Sequence, residues 1–252
     1  MKFNVFENEE LLGVAAAELA ADAIRQVAKI KDLVTIVVAT GSSQFSMLKH
    51  LAEQKDVPWE KVQAFHLDEY IGIPATHPAS FRKYLNERFV SQIPGLQKMT
   101  LINADAEDIA AEVARLNALL INEEIDICLA GIGENGHLAF NDPPADFDTK
   151  TPYIVVDLDQ GCRQQQCNEG WFATLDDVPS KAISMSISQI VKSKKIILSV
   201  LEERKAVAVR NTVTQKISPD FPASILQNHP DCELFLDIPA AILLKTDSIT
   251  RK

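Results

Sequence analysis

The run "LVTIVVA" (33–39) is continuous and β-branched, with Thr35 its one hydroxyl residue. A strand with one wet face alternates apolar and polar side chains, so a continuous run of this kind must be covered on both faces. That requirement points to a mostly parallel sheet with helices above and below it. The rest of the chain follows the same logic. "KVQAFHL" (61–67), a short strand near 99–103, "EIDICLA" (124–130), "KAISMSI", "KKIILSV" and "CELFLDI" (232–238) read as further strands. Between them, helical spacing predicts helices over 9–30, "SQFSMLKHLAEQ", a segment started by Pro78 and running through "SFRKYLNERF", "AEDIAAEVARLNALLINEE" and "ERKAVAVRNTV". Repeated strand–helix alternation is the mark of an α/β protein. No repeat, low-complexity tract or linker divides the 252 residues, so one domain is expected. The polar stretch 157–180 interrupts the pattern and reads as a mobile flap.

Charge and cysteine usage narrow the function classes. A net charge of −10 argues against nucleic acid, because binding to phosphate backbones needs clustered Lys and Arg. A small anion could still be held by backbone N–H groups and one or two local cations. No apolar run reaches the roughly 18 residues of a membrane helix, and the N-terminus lacks a secretion-signal layout, so no membrane partner is expected. Cys128, Cys162, Cys167 and Cys232 show no zinc-like spacing and read as reduced thiols of a cytoplasmic protein. The sequence allows a homo-oligomer without specifying one.

Open parallel sheets bind ligands beyond the carboxyl ends of their strands, and four such ends carry chemistry here. "ATGSSQ" places Thr40, Gly41, Ser42 and Ser43 between a strand and a helix start, as an anion site or as simple helix caps. Lys205 in "LEERK" sits where the helix dipole disfavours a cation, which points to an anion nearby or to a solvated surface lysine. "FHLDEY" puts Asp68 just past a strand, as a proton-moving base or a turn cap. His66 reads as an ordinary strand residue.

The fourth end, "LAGIGENGHLAFNDPP" (129–144), contains G-x-G-x-x-G. A dinucleotide fingerprint needs a helix after its last glycine. Gly136 is followed instead by "HLAFNDPP", with adjacent prolines and no helical face, so the nucleotide reading fails. The glycines let the backbone approach a small ligand and present Asn135, His137 and Asp142. An imidazole is a base at neutral pH and needs an acceptor to fix its tautomer, which Asp142 or Asn135 could supply. No second ligand spacing accompanies His137, so no metal is expected.

"FHLDEYIGIPATHPASF" and "LAGIGENGHLAFNDPP" together resemble the two signatures of the glucosamine-6-phosphate deaminases, also called isomerases. "ATGSSQ" and the Lys205 segment resemble the family's phosphate-binding elements in order and spacing. The resemblance implies a modified doubly wound α/β fold and conversion of an amino-sugar 6-phosphate to the ketose phosphate and ammonia, without a cofactor. It implies Asp68 as the base between C2 and C1, His137 as the ring-opening group assisted by Asn135 and Asp142, and Gly41, Ser42, Ser43 and Lys205 around the phosphate. Arg163 is the nearest candidate for the family's substrate-binding arginine. Asn135 and Asp142 replace the Asp and Glu of the best-studied branch, which leaves galactosamine 6-phosphate open as a substrate. The 6-phosphogluconolactonases, which share the fold, and a non-catalytic sugar-phosphate sensor are the alternatives.

Overall fold

The computed structural model describes residues 1–244 and the backbone of 250–251. Its main sheet is built from β1 (Lys2–Phe6), β2 (Val34–Val38), β3 (Val62–His66), β5 (Lys98–Thr100), β6 (Ile127–Ala130), β9 (Lys195–Val200), β10 (Cys232–Asp237) and the two-residue β11 (Thr250–Arg251). Their order is β11-β1-β10-β9-β6-β2-β3-β5, and every neighbouring pair is parallel. A second, antiparallel sheet joins β4 (Asp68–Tyr70), β8 (Lys181–Met185) and β7 (Tyr153–Asp157) in the order β4-β8-β7. The fold is therefore α/β, as the strand–helix alternation predicts.

The unbroken apolar runs are covered on both faces, as their composition requires. Val37, Phe65, Cys128 and Leu198 enter one core, while Ile36, Val38, Ile127, Leu129 and Ile197 enter the core on the opposite face. Helices α1 (Glu9–Val27), α2 (Phe45–Ala52), α3 (Phe81–Arg88), α4 (Ile109–Leu120), α5 (Gln160–Asn168), α6 (Ile187–Ile190), α7 (Ala206–Thr214) and α8 (Ile238–Ala241) complete the described elements. A third, smaller core gathers Tyr70, Phe140, Leu158, Cys162 and Phe172 under α5.

Three expectations are corrected. The helix expected to start at Pro78 starts at Phe81, because Ser80 is its N-cap and the Glu69 carboxylate collects the Phe81 and Arg82 N–H groups at 3.2 and 2.8 Å. "KAISMSI" does not extend the parallel sheet; it is the middle strand of the antiparallel one. The 157–180 stretch is not a featureless flap. Asp159 caps α5 by accepting from the Cys162 N–H at 2.6 Å, and Cys162, Gln165 and Gln166 are buried. Strands β1, β4 and β7 were not anticipated at all; each is short, and β7 mixes buried and half-exposed positions.

The chain passes from β2 to β3 and β5 on one side, then returns to place β6, β9 and β10 on the other. The strand order thus reverses between β2 and β6, and a crevice opens there beyond the carboxyl ends.

Candidate active site

A narrow cavity lies in that crevice, lined by Thr40 to Ser43, Asp68, Gly131 to Gly133, His137, Gln165, Gln166, Glu169, Trp171, Arg204 and Lys205, among others. All four strand ends singled out in the sequence meet in it. A wider groove between α1, α2 and α3, lined by Phe45, Tyr84 and Arg88 among others, contains no histidine.

The β2 end turns on Gly41, whose φ of 112° is a conformation that side chains with a Cβ rarely adopt. The turn starts a short 3₁₀ segment, Ser42–Gln44, that runs into α2. Gln44 Nε2 donates to the Ala130 carbonyl at 3.0 Å, which ties this loop to the end of β6. The buried Thr40 Oγ1 has no hydrogen-bond partner among the described residues. An unpaired buried hydroxyl on a cavity wall is a donor available to a ligand.

Asp68 opens β4 and is only 6% exposed. Burial, reinforced by the neighbouring Glu69 charge, pushes its pKa up to about 8. That value suits a group that must take and return a proton near neutral pH. Glu69 does different work. Its carboxylate accepts from the Ser80 hydroxyl at 3.0 Å and from the first-turn N–H groups of α3, so it anchors that helix.

At the β6 end, no helix follows Gly136; residues 131–146 run without helix or strand. A Cβ built on Gly133 would lie 2.1 Å from His137 Nε2, so only glycine leaves room for the imidazole. His137 Nδ1 lies 3.0 Å from Asp142 Oδ1. Asn135 Nδ2 donates to the same oxygen at 2.9 Å and to Asp159 Oδ2 at 3.1 Å, while its Oδ1 accepts from the His137 N–H at 3.0 Å. The Asp159 N–H donates to Asp142 Oδ2 at 3.1 Å. Burial pushes Asp142 up, but the bonds from His137 and Asn135 and the His137 charge outweigh it and hold the carboxyl below its ordinary range. An ionised Asp142 fixes Nδ1 as the protonated nitrogen, leaving Nε2 free to exchange protons. Of the two acceptors suggested for the imidazole, Asp142 meets the ring, while Asn135 accepts from the His137 backbone N–H instead. The sequence could not show that Asp159, from the start of α5, completes the network.

Lys205 is only 8% exposed, so its ammonium is held largely out of water. Desolvation lowers its pKa, and the nearby Glu169 carboxylate offsets part of that shift. Arg163 is a correction. It does not line the cavity, and its guanidinium donates to the Leu175 and Val178 carbonyls at 2.6 and 3.1 Å, where it fastens the turn after α5. The arginine on the cavity wall is Arg204. Arg204, Glu169, Gln165, Gln166 and Trp171 were missed by the sequence reading. The signal available was "CRQQQCNEGW", a polar segment too rich in amides and too poor in charge for a solvated loop.

His137, Asp142 and Cys162 bring ligand atoms within 4.8 Å of one another, so these three residues could meet a metal ion. Their own chemistry resists it. The Cys162 thiol is pushed up by burial and by the Asp142 and Asp159 charges, and His137 Nδ1 is committed to Asp142. Among the described residues no helix is long and apolar enough to cross a membrane.

A family model described as glucosamine-6-phosphate isomerases/6-phosphogluconolactonase matches residues 7–234. A glucosamine-6-phosphate deaminase from Streptococcus sanguinis (strain SK36) is 38% identical over 245 residues, spanning 97% of this chain and 100% of that protein. The solved structure of a monomeric glucosamine-6-phosphate deaminase superposes with a TM-score of 0.85 at 33% identity, covering 96% of this chain and 100% of the other. A 6-phosphogluconolactonase from Shewanella baltica OS155 gives a TM-score of 0.78 at 18% identity, over 94% of this chain and 97% of that one, which is a likeness of fold alone.

Proposed function

We propose a reaction from one premise: the chain belongs to the glucosamine-6-phosphate isomerase/6-phosphogluconolactonase family. Its full-length relatives at this level of identity are deaminases, and its activity is that of a glucosamine-6-phosphate deaminase, releasing ammonia and the ketose 6-phosphate. One observation carries the assignment of residues to steps. A buried carboxylate at pKa about 8, an oriented histidine–aspartate pair and two cations share a single cavity.

The phosphate, remote from the reacting carbons, is held by the Thr40–Ser43 turn and Lys205. Its binding energy orients the sugar. His137, with Nδ1 held by Asp142 and its loop held by Asn135, exchanges a proton at the ring oxygen through Nε2 and opens the ring. Asp68 then carries the C2 proton to C1, which leaves an iminium at C2; water adds to that carbon and ammonia departs, giving the ketose. With its pKa at about 8, Asp68 is largely protonated at neutral pH before substrate binds. An ammonium at C2 of the substrate brings an opposite charge, which favours the ionised carboxylate. The base is therefore generated by the substrate it acts on.

The cavity is lined by residues of this chain. We take 1–252 as one deaminase-like domain, and four unpaired cysteines favour a cytoplasmic setting. The test is ammonia release by the purified protein from glucosamine 6-phosphate, galactosamine 6-phosphate and unphosphorylated glucosamine, beside hydrolysis of 6-phosphogluconolactone. Turnover of glucosamine 6-phosphate with the other three poor is expected. Lactone hydrolysis without ammonia release would overturn the reading.

A further inference from the structure

Arg204 stands beside Lys205 on the cavity wall, yet its guanidinium is surrounded by carboxylates. Nη1 lies 2.7 Å from Glu134 Oε1 and 2.8 Å from Glu169 Oε1. Nε and Nη2 donate to the two oxygens of Glu202 at 2.7 and 3.2 Å. Four of the five N–H groups of a guanidinium are thereby engaged, and one on Nη2 is left. Burial opposes the charge, but the bonds to Glu202, Glu169 and Glu134 outweigh it and hold Arg204 firmly protonated.

Two of these carboxylates are unusual. Glu202 is a non-glycine residue at φ 76° and ψ 145°. That region is essentially glycine's, and a side chain stays there only where its surroundings hold it. Both Asp237 oxygens accept from the Glu202 N–H, at 3.0 and 3.2 Å, and hold the backbone in place while the side chain grips Arg204. Glu169, at the end of α5, is the one of the three that lines the cavity. Burial raises its pKa, but Lys205, Gln165 and Arg204 bring it below the ordinary range, so it is an anion lodged between the cavity's two cations. A phosphate dianion needs those same donors, and two anions cannot share them without strong repulsion.

We propose that Arg204 is a second phosphate-binding side chain that, with Lys205, selects phosphorylated substrates, and that Glu169 pairs with Arg204 until the phosphate takes its place. Arrival of the phosphate displaces Glu169, and Glu202 is the positioning residue that keeps Arg204 aimed as the exchange occurs. This rests on the sugar-phosphate reading above.

The test measures KM for glucosamine 6-phosphate and the inhibition constant of inorganic phosphate for the unmodified protein and three variants. Arg204→Gln should raise both constants about 10- to 100-fold, the range of a hydrogen bond to a charged group, with partial rescue in Arg204→Lys. Glu169→Gln should do the reverse and lower the phosphate constant several-fold, because a competing anion is gone. Glu202→Gly should melt no lower than the parent and still raise KM. An unchanged phosphate constant in a folded Arg204→Gln protein, or weaker phosphate binding in Glu169→Gln, overturns the proposal. Should the unmodified protein release no ammonia yet bind phosphate through Arg204 in calorimetry, the deaminase reading falls and the phosphate assignment stands.

Discussion

Asp68 is the residue whose environment matters most. Burial beside Glu69 pushes its carboxyl up to about 8, so in the proposed role it must lose a proton before it can accept one from carbon. We expect kcat/KM to rise with pH through that value, and the rising limb of kcat to sit lower, since the bound ammonium favours ionisation. Asp68→Asn should abolish ammonia release and the exchange of the C2 proton with deuterium, both followed by NMR. Wild-type-like exchange in that variant would remove the mechanism. Lys205→Ala should weaken substrate binding by about 1.5–3 kcal/mol, as loss of a hydrogen bond to a charged group does. Its readout is KM, and an unchanged KM would mean that Lys205 does not hold the phosphate. Gly133→Ala puts a methyl 2.1 Å from His137 Nε2, so the imidazole must move. Ring opening should then slow by roughly 10²–10⁴-fold, while turnover of a substrate supplied open-chain should be far less affected.

At the scale of elements, α5 does the most for the site and was the least legible. Its N-cap, Asp159, accepts from the Cys162 N–H and also from Asn135 Nδ2, and its N–H donates to Asp142. One residue thus starts the helix and braces the histidine loop. Asp159→Ala should cost about 0.5–2 kcal/mol of stability, the range for a lost N-cap, and should lower kcat as well. A surface cap elsewhere, Asp108 on α4, provides the control: Asp108→Ala should cost similar stability in urea titrations and leave kcat alone. Equal kcat in the two variants would show that Asp159 is only a cap. The helical periodicity of α1 and α4 was readable because their apolar stripes face large cores. In α5 the buried side chains are Cys162, Gln165 and Gln166, and amides packed against a polar cavity leave no apolar stripe to read.

Over the whole molecule, two buried titratable groups oppose each other with pH. Asp68 is raised from 3.8 to about 8, so across that window the folded state binds more protons and stability falls as pH rises. His66, fully buried, is lowered from 6.5 to about 3, so stability falls as pH drops through that window. Between about 4 and 6.5 the two slopes cancel; from 6.5 to 8 only Asp68 acts. Over that upper interval the protein should lose at most about 2 kcal/mol relative to Asp68→Asn. Melting temperatures of the two proteins should therefore diverge steadily from pH 5 up to about 8, because His66 contributes equally to both, and parallel curves would contradict the burial of Asp68. The chain's own order of residues determined the layers, the strand order's four chemical ends and the failure of a nucleotide reading, because apolar periodicity and glycine placement act over a few residues. It could not decide that burial raises the Asp68 pKa, that Asp159 completes the histidine network, or that Arg204 rather than Arg163 lines the cavity. Those depend on desolvation and charge supplied by segments far apart in sequence. Glu134, Glu169 and Glu202 reach one guanidinium from three separate elements. Only the folded chain brings them within reach, since each contact falls off over a few ångströms while the residues that make it lie up to 70 positions apart.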